Sequence, residues 1–133
     1  NPNKDITGVG KEFIIFNYDA LEMYRSVYIC EGALNALTIG DRGIATMGKV
    51  VSKYQLNELI KAPCQRYIIL LDFDAQKYAI ELALKLIQYK KVKLVLFEDN
   101  RDVNDLGRKA VLKKVYETRY ATYQGLIKLK NSL

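Results

Sequence analysis

Short apolar runs alternate with stretches of helical character along most of this 133-residue chain. The apolar runs are residues 27–30, 44–47, 67–71 and 92–97. The helical stretches between them are residues 33–39, a segment from a candidate N-cap at Ser52 to about Lys61, and residues 75–89. Strands that are apolar at every position are buried on both faces, so the pattern predicts a parallel sheet with helices on each side. We therefore predict a doubly wound α/β fold.

The two ends of the chain lie outside this alternation. Residues 13–16 form a short β-type run and residues 19–24 have helical character, whereas residues 106–130 are mostly helical in pattern. In that last stretch Tyr116, Tyr120, Tyr123 and Ile127 recur at a spacing that places them on one helix face. We interpret this stripe as core or a docking face rather than a stacking platform for nucleic acid.

The residues that commonly bind transition metals are scarce. The chain has no histidine and two cysteines, Cys30 and Cys64, which excludes Cys/His zinc sites and histidine-based triads within these residues. Both cysteines are expected to be buried or idle thiols of a cytosolic protein rather than a disulfide. A bound metal would be held mainly by oxygen, which favours Mg²⁺ or Mn²⁺.

The apolar runs are also short for a membrane span, which takes about 20 residues. No basic-then-apolar signal segment opens the sequence. We expect a cytoplasmic protein without a membrane partner. Because the sequence begins Asn-Pro-Asn rather than with Met, we expect it to be a piece of a longer protein.

Charge is distributed unevenly along the chain. Residues 1–84 carry 9 basic and 10 acidic side chains, a net charge of −1, whereas residues 85–133 carry 12 basic and 5 acidic, a net charge of +7. A basic half beside an acidic cluster suits a polyanionic partner that reaches the acids through metal. The alternative is a lysine-rich solvated surface.

Acidic residues follow three of the predicted strands. They are Glu31 after residues 27–30, Asp72 and Asp74 after residues 67–71, and Glu98, Asp99 and Asp102 after residues 92–97. Parallel strands end at one edge of a sheet, and ligands bind beyond that edge. Crowded carboxylates need compensation by raised pKa values, by basic neighbours or by a cation. Two magnesium ions about 4 Å apart would neutralise them and would clamp the attacking and leaving oxygens of a phosphoryl transfer.

Several of these acidic residues also have a simpler interpretation. Asp74 is placed to cap the helix that starts at Ala75. Glu31 and Gly32 fit an ordinary helix start, and Asp102 and Asp105 fit capping or solvation of a loop. The order of these acids and their placement at strand ends favour the metal site.

Four segments together resemble the TOPRIM domain of bacterial and phage-type DNA primases, which is Rossmann-like. They are residues 27–37 (VYICEGALNAL), 45–48 (ATMG), 70–74 (LLDFD) and 102–106 (DVNDL). Residues 15–21 (IFNYDAL) are similar to the segment that precedes the domain in primases and primase–helicases. The resemblance covers residues 13–110.

The resemblance implies metal-dependent RNA primer synthesis on a single-stranded DNA template from ribonucleoside triphosphates, with a fused or separate replicative helicase as partner. It implies a lead-in segment at residues 1–26, a catalytic domain at 27–110 and a helical extension at 111–133. Glu31, Asp72 and Asp74 would be catalytic and, with Asp102, would hold two Mg²⁺ or Mn²⁺ ions. Gly32 would let the backbone approach closely where a side chain would intrude, and Gly48 would have a comparable steric role. The candidate contacts to nucleic acid or nucleotide are Lys49, Lys77 and Arg108.

Two residues depart from the primase pattern. Asn35 stands where primases commonly carry Asp, which removes a negative charge from the predicted site. Lys77 falls where a small residue is usual, and its charge is unfavourable in the first turn of a helix unless it contacts a phosphate. The zinc-binding module and the basic subdomain of such primases are not recognisable in these residues. We therefore expect weak or no primer synthesis from this chain alone.

Three other functions compete with primer synthesis. A TOPRIM nuclease or topoisomerase shares the Glu and Asp-x-Asp residues, but the segments around Asn35 and Asn104 favour a primase. A haloacid-dehalogenase-type phosphatase has Asp-x-Asp on its first strand, whereas here it follows the third. A catalytically inactive module that docks nucleic acid or helicase is the non-enzymatic alternative.

Overall fold

A four-stranded parallel sheet forms the centre of the protein. The computed structural model describes residues 10–133. The strands are β1 (Ser26–Cys30), β2 (Gly43–Ala45), β3 (Arg66–Leu70) and β4 (Lys91–Leu94), in the spatial order β2-β1-β3-β4. The α-helices are α1 (Ala20–Met23), α2 (Ala33–Ile39), α3 (Lys53–Lys61), α4 (Gln76–Leu86), α5 (Val103–Leu106), α6 (Arg108–Glu117) and α7 (Tyr123–Asn131). None of these helices is long and apolar enough to cross a bilayer.

The buried side chains form one apolar layer on each face of the sheet. In β3, Tyr67 and Ile69 belong to one layer while Ile68 and Leu70 belong to the other, as the two-residue period of a strand requires. The first layer includes residues of α1, α3, α4 and α7, and the second includes residues of α2, α5 and α6. Burial on both faces explains the continuous apolar runs and confirms the predicted doubly wound fold.

Local sequence signals set several helix boundaries. The helix α2 spans the residues predicted for it, and Ser52 caps α3 in a capping box with Gln55. The helix predicted for residues 75–89 begins at Gln76 and ends at Leu86. Asp74 is not its N-cap, since that position belongs to Ala75. The capping interpretation of Asp74 is therefore wrong.

The tyrosine stripe does not lie on one helix face and is not core, and its role as a docking face stays a prediction. Residues 106–130 form separate helices, and Tyr120 lies in the connection between α6 and α7. The Tyr116 side chain is 87% exposed and Tyr123 is 58% exposed, so neither is core. The backbone N–H of Ala121 donates to the carbonyl of Val92 at 2.7 Å. This bond holds the connection along the edge of β4, so the chain passes there from one face of the sheet to the other.

The described parts of both end segments pack on the same sheet. Ile15 and Leu21 join the first of the two layers, the one that contains Tyr67 and Ile69, and Leu126 of α7 joins it from the other end of the chain. Of residues 13–16, Phe13 ends a 3₁₀ turn and Phe16 forms an antiparallel bridge with Ala45, so the predicted β-type run is reduced to one bridge. Residues 1–9 lie outside the described range. The division at residues 26 and 110 stays a prediction.

Both cysteines are buried and free, as the sequence predicted. Burial raises the pKa of the Cys30 thiol to about 12, with a smaller contribution from the negative charge of Asp72. Cys30 is therefore a protonated core side chain rather than a metal-binding thiolate.

Gly43 is required by the close approach of β2 and α2. A Cβ atom at this position would lie 2.5 Å from the carbonyl oxygen of Ala36, a contact with backbone that cannot rotate away. We expect Gly43→Ala to destabilise the protein by about 2 kcal/mol, the usual cost of overpacking a well-packed interior. Chemical denaturation of wild type and variant measures the difference in the free energy of unfolding.

Gly32→Ala is the matched control, because a Cβ atom on Gly32 meets no atom within 4 Å and its φ is −114°. We expect Gly32→Ala to cost no more than about 1 kcal/mol, the usual penalty for alanine at a helix N-cap, because Gly32 is the N-cap of α2. Equal losses in the two variants would contradict the role assigned to Gly43.

Candidate metal centre

Three carboxylates converge beyond the carboxyl ends of two neighbouring strands. Cys30 and Leu70 are register partners in β1 and β3, so the residues that follow them, Glu31 and the Asp72 segment, leave the sheet side by side. One carboxylate oxygen from each of Glu31, Asp72 and Asp74 lies within 4.8 Å of the other two. We call these three residues the acidic group. Its convergence is what the order of the acids along the sequence predicted.

The Glu31 side chain is in an unfavourable environment for a charged carboxylate. Its Oε1 atom is buried and has no hydrogen-bond partner among the described residues. Burial raises the pKa of Glu31, and the negative charges of Asp72 and Asp74 raise it further, while Lys49 opposes the shift. A buried oxygen without a donor is costly, and a cation would satisfy it.

Asp72 is similarly crowded. Burial makes the largest contribution to its raised pKa, and repulsion from the negative charges of Asp102, Asp74 and Asp105 raises the pKa further. The amide nitrogen of Asn35 donates to Asp72 Oδ1 at 3.4 Å. An Asp at position 35 would have no such donor and would add to the repulsion, so the amide partly relieves the crowding.

Asn35 also links the acidic group to α5. Its Oδ1 atom accepts from the backbone N–H of Asn104 at 3.0 Å. One turn later on α2, the Thr38 hydroxyl donates to Asn104 Oδ1 at 3.1 Å. These bonds hold the segment around Asn104 beside the acidic group. The buried side chain of Asn35 thereby connects two of the segments that resemble primase motifs, residues 27–37 and 102–106.

Lys49 supplies the positive charge closest to the acidic group. Its Nζ atom lies 3.4 Å from Asp74 Oδ2, and both side chains are largely exposed. The pair is therefore worth little to stability. Its consequence is local, because a lysine here partly neutralises the carboxylates and is placed to meet an anion that approaches them.

Gln55 holds in place the segment that carries Lys49. The sequence predicted only that Gln55 lies in a helix. The Gln55 side-chain amide donates to the carbonyls of Ile14 and Thr46, both at 2.7 Å, and accepts from the N–H of Ser52 at 2.9 Å. Met47, which follows Thr46 in the chain, donates its N–H to the Glu31 carbonyl at 2.8 Å. The local sequence contains one signal for Gln55, because Gln is a common residue at the third helical position of a capping box. It contains no signal for the two carbonyls, distant in sequence, that Gln55 bonds.

Asp102 is not part of the acidic group. Its Oδ1 atom accepts from the N–H of Asp105 at 2.8 Å, and Asp105 Oδ2 accepts from the N–H of Asp102 at 3.0 Å. This is a capping box at the start of α5. Asp102 lies close enough to raise the pKa of Asp72, and its participation in metal binding stays a prediction.

Two other predicted acids and two predicted basic contacts lie apart from the acidic group. Asp99 forms an ion pair with Arg101 at 2.9 Å, and Glu98 is exposed beside it. Lys77 is exposed on the first turn of α4. Arg108 donates from Nε to the carbonyl of Ile39, the last residue of α2. The roles predicted for Lys77 and Arg108 stay predictions.

The two glycines expected to allow a close approach have open space beside them. A Cβ atom would meet nothing within 4 Å at Gly32 or at Gly48. The fold itself therefore does not demand glycine at either position. The space beside Gly32 adjoins Glu31 and is free for a ligand.

The chemistry of the acidic group fits a hard divalent cation. It offers carboxylate oxygens, the ligands that Mg²⁺ and Mn²⁺ prefer. Repulsion and burial raise two of its pKa values, and one oxygen is buried without a donor. A bound cation would reverse each of these costs.

Comparison with known proteins supports the fold. No protein-family model matches the sequence, and no curated protein matches it by sequence. The structure is similar to that of the DnaG catalytic core, with a TM-score of 0.72 and 16% identity over 94% of this chain and 44% of that chain. It is also similar to the RNA polymerase domain of Mycobacterium tuberculosis primase DnaG, with a TM-score of 0.61 and 16% identity over 92% of this chain and 45% of that one. The chain has a DnaG-like primase fold and spans less than half of either structure.

Proposed function

We propose that this chain, on its DnaG-like primase fold, is the metal-binding part of a nucleotidyltransferase that synthesises RNA primers on single-stranded DNA. The observation that carries the proposal is the convergence of Glu31, Asp72 and Asp74 within 4.8 Å of one another. The buried Glu31 oxygen that lacks a partner supports it. Structures named as primase cores share the fold that brings these residues together.

Asp72 and Asp74 are the proposed metal-holding residues, with Glu31 as a third ligand or as the proton acceptor. Two Mg²⁺ or Mn²⁺ ions, when bound, supply Lewis-acid stabilisation of the attacking and leaving oxygens in nucleotidyl transfer. Glu31 suits proton exchange because burial and the neighbouring carboxylates raise its pKa above the ordinary value of a glutamate. Asn35 orients Asp72 through the 3.4 Å hydrogen bond.

The proposed substrates are polyanions, and the charge of the chain is compatible with them. Residues 85–133 have a net charge of +7, which favours association with a nucleic-acid backbone. Lys49, already beside Asp74, is placed to contact the phosphates of a ribonucleoside triphosphate.

Metal-dependent binding of a ribonucleoside triphosphate is the direct test. We expect the 133-residue chain to bind a fluorescent ATP analogue in Mn²⁺ and to lose at least about 90% of that binding in EDTA, because phosphates reach crowded carboxylates only through a cation. Asp72→Asn should abolish the part of the nucleotide binding that depends on Mn²⁺. The matched control is Asp99→Asn, which removes an acid that is already paired with Arg101.

Product analysis separates synthesis from cleavage. With single-stranded DNA, labelled ribonucleotides and Mn²⁺, we expect little or no primer from this chain alone, since it spans 44–45% of the similar primase structures. Robust primer synthesis would contradict that expectation about the isolated chain. Cleavage of the DNA that disappears in Asp72→Asn would overturn the polymerase assignment in favour of a nuclease.

A further inference from the structure

A cavity of about 230 Å³ lies at the opposite edge of the sheet from the acidic group. Its walls include Tyr24, which precedes β1, and the turn residues Asp41 and Arg42, which precede β2. Tyr28 of β1 and Arg108 of α6 complete the polar lining. Because the strands are parallel, segments that precede them lie at the amino-end edge, while the acidic group lies at the carboxyl-end edge. The two sites are therefore distinct.

Arg108 is held in this cavity by its own hydrogen bond. Nε donates to the carbonyl of Ile39 at 2.9 Å, which leaves both Nη groups without a partner among residues 10–133. Gly40, with φ of +109°, forms the turn beneath the guanidinium, whose Nε and Nη2 atoms would lie 3.9 Å from a Cβ atom there. Nε of this exposed side chain is therefore engaged, while the Nη groups have no partner within the described residues.

Arg42 is fixed by different contacts. Its guanidinium carbon lies 4.9 Å from the centre of the Tyr24 ring, a cation–π arrangement. Its backbone carbonyl accepts from the N–H of Tyr28 at 2.9 Å. Neither Arg42 nor Arg108 takes part in a salt bridge within the part of the chain that the structure describes. Two exposed guanidinium groups that form no ion pair among the described residues thus line one cavity, together with the carboxylate of Asp41.

We propose that this cavity binds the phosphate group of a nucleotide, through Arg42 and Arg108. Guanidinium groups match phosphate oxygens in charge and in the spacing of their donors. The volume is below the range of roughly 300–1,000 Å³ typical of sites that enclose a whole ligand. It suits a phosphate with part of its sugar, and the carboxylate of Asp41 is available to a sugar hydroxyl. The nucleotide comes either from solution or from a nucleic-acid strand, and both offer the same phosphate chemistry.

Titrations in EDTA test the cavity independently of the metal centre. The probes are AMP, an oligothymidylate without a terminal phosphate, and adenosine as the probe that lacks phosphate. We expect AMP or the oligonucleotide to shift the backbone amide signals of Tyr28, Gly40 and Gly43 in ¹H–¹⁵N spectra, while adenosine does not. Binding of AMP with weaker binding of the oligonucleotide identifies a free nucleotide as the source, and the reverse identifies a strand.

Charge-matched variants make the test specific. We expect Arg42→Gln and Arg108→Gln each to weaken binding of the phosphate probe at least about tenfold, the loss expected for a charge-assisted hydrogen bond. Arg119→Gln removes the same charge from the exposed connection between α6 and α7 and should change binding less than about twofold. Arg42→Gln keeps the bond from Arg108 to Ile39, so it remains informative if Arg108→Gln does not fold.

Three results would overturn the proposal. They are equal weakening by Arg119→Gln, unchanged binding in Arg42→Gln, and equal binding of adenosine and AMP. Each would assign binding to overall charge or to the base instead of to the two arginines. Failure of the primase proposal would leave this test unaffected, because it uses no metal and no residue of the acidic group.

Discussion

Asp72→Asn is expected to abolish stabilisation by Mn²⁺ and, at the same time, to stabilise the metal-free protein. In wild type, Mn²⁺ at a hundred times its dissociation constant should add about 2.7 kcal/mol to the free energy of unfolding. The variant should show almost none of this gain, because it removes one of the three carboxylates of the proposed metal site.

The gain in the metal-free state follows from the direction of the pKa shifts. The pKa values of Glu31 and Asp72 are raised in the folded protein, so the folded state binds protons more tightly than the unfolded state. Stability from these groups is therefore present at low pH and falls as pH rises from the unfolded pKa values through the folded ones. At neutral pH both carboxylates oppose folding, and a neutral amide at position 72 removes part of that cost.

Thermal unfolding in EDTA at pH 4 and pH 7.5, and in Mn²⁺ at pH 7.5, measures both effects, because the lower pH lies near the ordinary pKa values of the two carboxyl groups. We expect the wild-type protein in EDTA to lose stability between these pH values more steeply than Asp72→Asn does. Asp99→Asn is the matched control, since Arg101 lowers the pKa of Asp99 and removing that acid should not stabilise the fold. An unchanged Mn²⁺ response in Asp72→Asn would remove the metal site as assigned.

Gln55→Leu is expected to destabilise the protein by about 3 kcal/mol or more, since each buried polar group left without a partner costs roughly 1–3 kcal/mol. The Gln55 side chain is 1% exposed. A leucine there would leave the carbonyls of Ile14 and Thr46 and the N–H of Ser52 without their present partner. We also expect weaker Mn²⁺ binding. Gln55 bonds the carbonyl of Thr46, and the next residue, Met47, donates its N–H to the carbonyl of Glu31, so the same segment supports the backbone of Glu31.

Chemical denaturation and a Mn²⁺ titration measure the two consequences. Asn57→Leu is the matched control, because it makes a similar amide-to-leucine change at an exposed position of the same helix. Its effect should stay within about 0.5 kcal/mol, as is usual for surface substitutions. If Gln55→Leu were as mild as Asn57→Leu, the long-range hydrogen bonds of Gln55 would not support the segment.

The sequence by itself determined the sheet and the acidic group. Strand-type runs, the Ser52 cap and the residues that follow strands are local features. In a parallel sheet the strand ends meet at one edge, so Glu31, Asp72 and Asp74 converge by topology alone. Local patterns were sufficient here because the positions of these residues depend on strand direction and not on the packing of particular side chains.

Only the tertiary structure decided the features that depend on contacts distant in sequence. Asp102 caps a helix instead of joining the acidic group, and the predicted tyrosine stripe is divided between α6, α7 and the connection that crosses the sheet edge. Gln55 bonds carbonyls 9 and 41 residues away, and Gly43 is needed because α2 passes 2.5 Å from its missing Cβ. The spacing of residues specifies which face or edge they reach, whereas the atoms they meet there are set by how separate elements pack.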